Sequence, residues 1–147
     1  MTEQYVSAQL RRLVTERAAE CCEYCRCQAQ YSAQSLSIDH IIPRQAGGLT
    51  QADNLALACQ GCNGHKSTHT MALDPLTGLV TPLFHPRQQR WREHLRWSVD
   101  YTEIVGLTPV GRATVEALQL NRSGLVNMRR ILYAAGEHPP IEMFPAP

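Results

Sequence analysis

Apolar positions fall at helical spacing near both ends of the chain and alternate, strand-like, at three places between them. Residues 4–20 carry Val6, Leu10, Leu13 and Val14 with no Gly or Pro among them, which predicts an amphipathic helix. In residues 35–39 Leu36 and Ile38 share one face of a short predicted strand, and Leu55 alternates with Leu57 in a second. Pro43 and the Gly47-Gly48 pair break regular structure between them, and a helix is expected to begin at Asn63 and run to Thr70. The local plan is strand, loop, strand, helix.

Beyond residue 71 the pattern is less regular. Pro75, Gly78, Pro82 and Pro86 predict an irregular crossing segment, with Leu76, Leu79, Val80, Leu83 and Phe84 giving it apolar anchor points. A helix is expected to start at Pro86 and carry Trp91. Leu95, Trp97, Val99 and Tyr101 alternate as a strand, with a hairpin turn near Asp100. Thr108-Pro109 reads as a helix cap followed by Pro at the first helical position, and Leu125, Met128, Leu132 and Ala135 mark one face of a last helix.

A chain of 147 residues suits a single domain with a modest core, one that a metal staple would help to stabilise. Its 44% hydrophobic and 18% charged residues describe a globular chain and exclude a disordered one. No run of 18 or more apolar residues occurs, and the first residues lack the apolar core of a signal peptide. A cytoplasmic protein with no membrane partner is expected. The formal net charge of +1 gives no global nucleic-acid signal. Residues 87–130, however, hold eight Arg against four acidic residues, a local excess of +4, and only one of the chain's fourteen basic residues, Lys66, is a lysine. Such a stripe fits a phosphate-gripping surface and equally a set of solvated helix faces.

Six cysteines in a cytoplasmic chain point to metal or thiol chemistry before disulfides. Cys22-Glu-Tyr-Cys25 and Cys59-Gln-Gly-Cys62 are two Cys-x-x-Cys knuckles 33 residues apart, the spacing that presents four thiolates to one structural zinc. Reduced core cysteines or a redox pair would require both spacings to coincide by accident. Cys21 and Cys27 flank the first knuckle and are left as free thiols.

A structural zinc has no need of the polar residues between the knuckles. Asp39 and Asn63 offer hard oxygen donors suited to a magnesium or manganese ion, and Asn63 is covalently next to Cys62. His40 beside Asp39 has an ordinary pKa near ~6.5 and is able to take a proton from water at neutral pH. An oxygen-liganded ion beside a neutral imidazole is what phosphodiester hydrolysis requires.

With these residues, the stretch DHIIPRQAGGLTQADNLALACQGCNGHK resembles the HNH endonuclease family and its ββα-metal (His-Me finger) fold. The zinc-framed form is also similar to the phage junction-resolving endonucleases. The resemblance implies an α+β protein: an HNH core with a structural zinc on four cysteines, flanked by helices and followed by a small α/β extension. Residues 1–70 would form the leading helix and nuclease core, and residues 71–147 the extension packed on it. It implies further that His40 is the general base and that Asn54 ties down the loop between the strands. Asp39 and Asn63 would hold one catalytic Mg2+ or Mn2+, and cleavage would leave a 5′-phosphate and a 3′-hydroxyl. Asn63 stands where other members carry the motif's last histidine, a change of letter that keeps a hard oxygen donor. Residues 74–94 and 106–122 also resemble the extension of a group of bacterial HNH proteins.

Each residue also has a plainer reading. Asn54 fits a turn, Asn63 a helix cap, and His65 and His69 solvent-facing positions. Arg44, Lys66, Arg87, Arg90 and Arg92 are the candidate nucleic-acid contacts, with Trp91 and Trp97 as candidate strand contacts. The favoured function is a metal-dependent DNA endonuclease, nicking or weakly sequence-specific, with RNA as a second possible substrate and a monomer or homodimer as the assembly. The rival is a non-catalytic zinc-binding nucleic-acid or scaffold module. That rival does not account for Asp39, His40 and Asn63 occurring together.

Overall fold

The computed structural model describes residues 5–141. Ser7 caps the first helix, α1 (Ala8–Arg17), by accepting the Leu10 N–H at 3.1 Å. The helix presents Val14 and Ala18 to Leu55 and Leu57, forming a small core of its own with β2. Strands β1 (Ser37–His40) and β2 (Leu55–Ala58) pair antiparallel with Asp39 opposite Ala56 and His40 opposite Leu55. Helix α2 (Gln60–Lys66) follows and packs back against β1. Strand, loop, strand and helix therefore occur in the expected order.

Two boundaries differ from expectation. Helix α2 begins three residues earlier than Asn63, because the Cys59 sulfur itself caps it by accepting the Cys62 N–H at 3.4 Å. Asn63 therefore lies inside the helix and is not its cap. The crossing segment after residue 71 is not irregular: β3 (Met71–Leu73) and β4 (Val80–Pro82) form a hairpin. Its turn is built by Asp74, which accepts the Leu76 N–H and the Thr77 hydroxyl while Arg112 grips both carboxylate oxygens at 2.9 and 3.0 Å. The guanidinium holds that carboxyl well below the usual carboxylate range, aided by the backbone and Thr77 donors. Pattern reading missed this hairpin because its tether lies 38 residues away in sequence.

The remaining elements are short. Helix α3 (Trp91–His94) starts five residues later than Pro86, and β5 (Leu95–Trp97) and β6 (Ile104–Gly106) form the expected hairpin around Asp100. Asp100 accepts from Ser98 and from the Thr102 hydroxyl and N–H, which closes that turn. Thr108 caps α4 (Pro109–Ala117) through Gly111 N–H at 3.0 Å, and α5 (Ser123–Ala134) carries the last apolar stripe. Residues 142–147 of the Pro-rich tail lie outside the described residues. Among the described residues no helix is long and apolar enough to cross a membrane.

One hydrophobic cluster joins the two halves of the chain. Tyr24, Ala56 and the knuckle cysteines pack with Phe84, Trp91, Leu95, Ile104, Leu118 and Leu120. Trp91, expected at a nucleic-acid strand, is instead buried, and its indole N–H donates to the Tyr24 carbonyl at 2.9 Å. Trp97 lies half-buried against Trp91 and His138, with the Arg129 guanidinium over its ring at 5.3 Å. Trp91→Phe should therefore destabilise the zinc-replete protein by about 1–3 kcal/mol through the orphaned carbonyl. Trp91→Ala should cost about 3–5 kcal/mol through the added cavity, both read by chemical denaturation.

Candidate functional site

The first knuckle is a tight turn closed by the Cys22 N–H to Cys27 carbonyl bond at 2.9 Å. The second is formed by the end of β2 and the start of α2. Together they bring the sulfurs of Cys22, Cys25, Cys59 and Cys62 within 4.8 Å of one another, all four residues buried and none in a disulfide. Cys25 Sγ and Cys59 Sγ are 3.7 Å apart. A regular tetrahedron with zinc–sulfur bonds of about 2.3 Å has edges of roughly 3.8 Å, so the donor set fits a zinc ion. In each knuckle the second cysteine's N–H points at the first cysteine's sulfur, at 3.5 Å for Cys25 and 3.4 Å for Cys62. Cys21 and Cys27 fall outside the four.

The polar residues between the knuckles gather on the neighbouring face. A cavity of about 270 Å3 is lined by Asp39, His40, Arg44 and Asn63, together with Pro43 and Thr68. His40 sits at the end of β1 with its Nε2 2.8 Å from Thr50 Oγ1. If that nitrogen donates its proton to the hydroxyl, Nδ1 is left as the ring's acceptor. Burial lowers the His40 pKa below its ordinary value; Asp39 opposes the shift, and Arg44 and Lys66 add to it.

The Asn54 side chain is hydrogen-bonded into the loop between the strands. Its side-chain oxygen accepts the Ile42 N–H at 2.9 Å, and its amide donates to the carbonyls of Ile42 and Leu49 at 3.0 and 2.9 Å. Its backbone carbonyl accepts from Ile41, so both ends of the loop between the strands close on one residue. Gly48 is required beneath it, since an added Cβ would lie 1.7 Å from the Ile42 oxygen and 2.8 Å from the Asn54 amide nitrogen.

Asp39 is buried, and its carboxylate is already engaged. Tyr24, one of the two residues between the cysteines of the first knuckle, donates its hydroxyl at 2.7 Å, and the Lys66 ammonium lies 3.2 Å away. Burial pushes the Asp39 carboxyl up, against the pull of Lys66 and Tyr24. A carboxylate offers about four lone-pair positions, so these contacts leave room for a cation on the cavity side. The Asn63 amide lies in the same wall, so two hard-oxygen donors share the cavity.

Two expected nucleic-acid contacts are corrected. Lys66 is only 2% exposed and donates to Asp39 and to the carbonyls of His40 and Ile41, tying α2 to the end of β1. Arg87 is ion-paired with Glu23, whose other oxygen accepts the Leu57 N–H, and so it braces the first knuckle. Arg44, Arg90 and Arg92 are exposed, as are His65 and His69. Sequence reading missed Thr50 and Tyr24, because neither residue type signals chemistry without its partner. The sulfur geometry predicts one zinc per chain by elemental analysis. Stripping it with a strong chelator should abolish the cooperative thermal transition, and added zinc should restore it.

Comparison with known proteins agrees with this geometry. The chain is similar to the Septu protein PtuB of Bacillus thuringiensis, 25% identical over 103 residues, which cover 69% of this chain and 37% of that protein. The chain thus spans little more than a third of that relative. A family model described as HNH endonuclease matches residues 22–69. That span opens on the first cysteine of the first knuckle, closes just after α2 and encloses Asp39, His40, Asn54 and Asn63, so residues 22–69 are similar to the HNH endonuclease family.

Proposed function

We propose that the protein hydrolyses phosphodiester bonds in DNA, with His40 as general base and Asp39 and Asn63 as the residues that would hold a catalytic Mg2+ or Mn2+. The observation that carries this reading is that His40, Asp39 and Asn63 line a single cavity, with His40 held by Thr50 on the loop that Asn54 closes. When bound, a divalent ion supplies charge stabilisation to the phosphate and to the departing oxygen.

His40 Nδ1 takes a proton from water as the water oxygen bonds to phosphorus. The bond from phosphorus to the 3′-oxygen breaks, and the 3′-oxygen is protonated from solvent, leaving a 5′-phosphate and a 3′-hydroxyl. The Thr50 contact keeps the ring from swinging out of line. Arg44, exposed on the cavity wall, is placed to meet a phosphate oxygen. A single such site cuts one strand at a time, so nicking is the expected product.

One observation favours a second reading, a non-catalytic nucleic-acid-binding module: the Lys66 ammonium already neutralises Asp39. The two readings separate on supercoiled plasmid incubated with Mg2+ or Mn2+. The unaltered protein should convert it to the open-circular form, and His40→Ala should do so about 10²–10⁴-fold more slowly. No conversion by either protein would favour the binding module, and equal conversion by both would overturn His40 as the base. The same assay run across pH should lose activity on the acid side, since the base works only when neutral. Because burial lowers the His40 pKa, the half-maximal point should fall below about 6.5, with a plateau by pH 7.

A further inference from the structure

Arg122, which immediately precedes α5, reaches across the molecule to the sulfur cluster. Its Nη2 lies 3.3 Å from Cys59 Sγ and its Nη1 3.7 Å from Cys62 Sγ, residues 63 and 60 positions away in sequence. The fork is held in place from behind, with Nη1 also donating to the Gln119 carbonyl at 3.1 Å and the Leu118 carbonyl at 3.4 Å. Between the two thiols stands Gly61, where an added Cβ would lie 2.3 Å from the Arg122 guanidinium. The second knuckle therefore lacks a side chain at the place where the guanidinium rests.

The charge balance gives this contact a purpose. A zinc ion with four thiolates carries a net charge of −2, and such a charge in a buried site is costly unless it is paired and hydrogen-bonded. A guanidinium supplies positive charge and several N–H donors in one rigid fork. Arg129, a buried arginine nearby, donates instead to Thr102, Leu120 and Asn121, whereas Arg122 donates to two of the sulfurs. On this side a cavity of about 500 Å3 borders Cys25, Cys27 and Cys59, with Arg122, Leu125 and Met128 in its wall.

We infer that Arg122 is a positioning residue of the zinc centre: its fork neutralises and orients the Cys59 and Cys62 thiolates, so that zinc retention depends on a residue outside the family-matched span. The inference rests on the zinc reading of the four cysteines and is independent of the nuclease reading. It makes the C-terminal segment part of the metal site. Because Asn63 adjoins Cys62, the same fork also steadies the start of α2.

The test uses the full chain and follows zinc transfer to a colorimetric chelator, together with the thiolate-to-metal absorption of the cobalt-substituted protein. Loss of such an outer partner typically weakens metal binding about 10–100-fold. Arg122→Gln should therefore release zinc about 10–100-fold faster and move the cobalt band to lower energy, as sulfur lone pairs lose their donor. Arg122→Lys should recover part of both effects. Arg130→Gln, an exposed position on the same helix, should match the unaltered protein. If Arg122→Gln fails to fold, Gly61→Ala, which pushes the fork off the sulfurs with no change of charge, should give the same two shifts. Parental release with an unshifted band in the folded variants would overturn the inference. Absence of zinc from the unaltered protein on metal analysis would instead overturn the zinc reading beneath it.

Discussion

Four buried sulfurs held within 4.8 Å of one another are a demanding arrangement for a chain of this size. As thiolates they repel one another in a low-dielectric surrounding, and as thiols they contribute little cohesion; a bound divalent cation would turn the repulsion into attraction. The candidate site is built around that cluster. Cys59, a candidate zinc ligand, also caps α2, which places Cys62 and then Asn63 one turn into the helix. Between the cysteines of the first knuckle, Tyr24 reaches Asp39 with its hydroxyl, while Glu23 accepts from the Leu57 backbone on β2. A cluster of sulfur thus fixes two elements whose oxygen and nitrogen atoms would carry out the chemistry.

The Asp39–Lys66 pair shows how the site is held from within. Removing one partner of a buried ion pair typically costs about 3–5 kcal/mol. The ammonium also satisfies two carbonyls at the end of β1, so a single side chain sets the distance between helix and strand. Asn54 plays the matching part on the loop side, where one amide satisfies three backbone groups. His40 lies between these two anchors and has its own partner in Thr50.

The arginine-rich second half is used differently from its composition. Of the guanidiniums between residues 87 and 130, those of Arg87, Arg112, Arg122 and Arg129 reach Glu23, Asp74, two sulfurs and a set of carbonyls respectively. They act as internal tethers that bind the extension to the knuckles and close its hairpins. Arg90, Arg92, Arg96 and Arg130 are the exposed remainder. The electrostatic footprint available to a nucleic acid is correspondingly smaller than a count of charges implies.

What the sequence alone determined is what short range dictates. A zinc knuckle presents two thiols with two residues between them, a glycine and an amide close the loop between the strands, and a Thr-Pro step caps a helix. The two knuckles, β1, β2, the motif over residues 39–66, the Thr108 cap and the hairpin around Asp100 were legible for that reason. Tertiary structure decided the rest: that Lys66 faces inward to Asp39, that Trp91 anchors the core, that residues 71–82 form a hairpin and that Arg122 rests on sulfur. Each of these involves a partner 27 to 67 residues away, from Lys66 and Asp39 through the Asp74–Arg112 tether of the hairpin to Trp91 and Tyr24. A charged or aromatic side chain reads the same along the chain whether it faces solvent or a buried counter-group, and only packing tells the two apart.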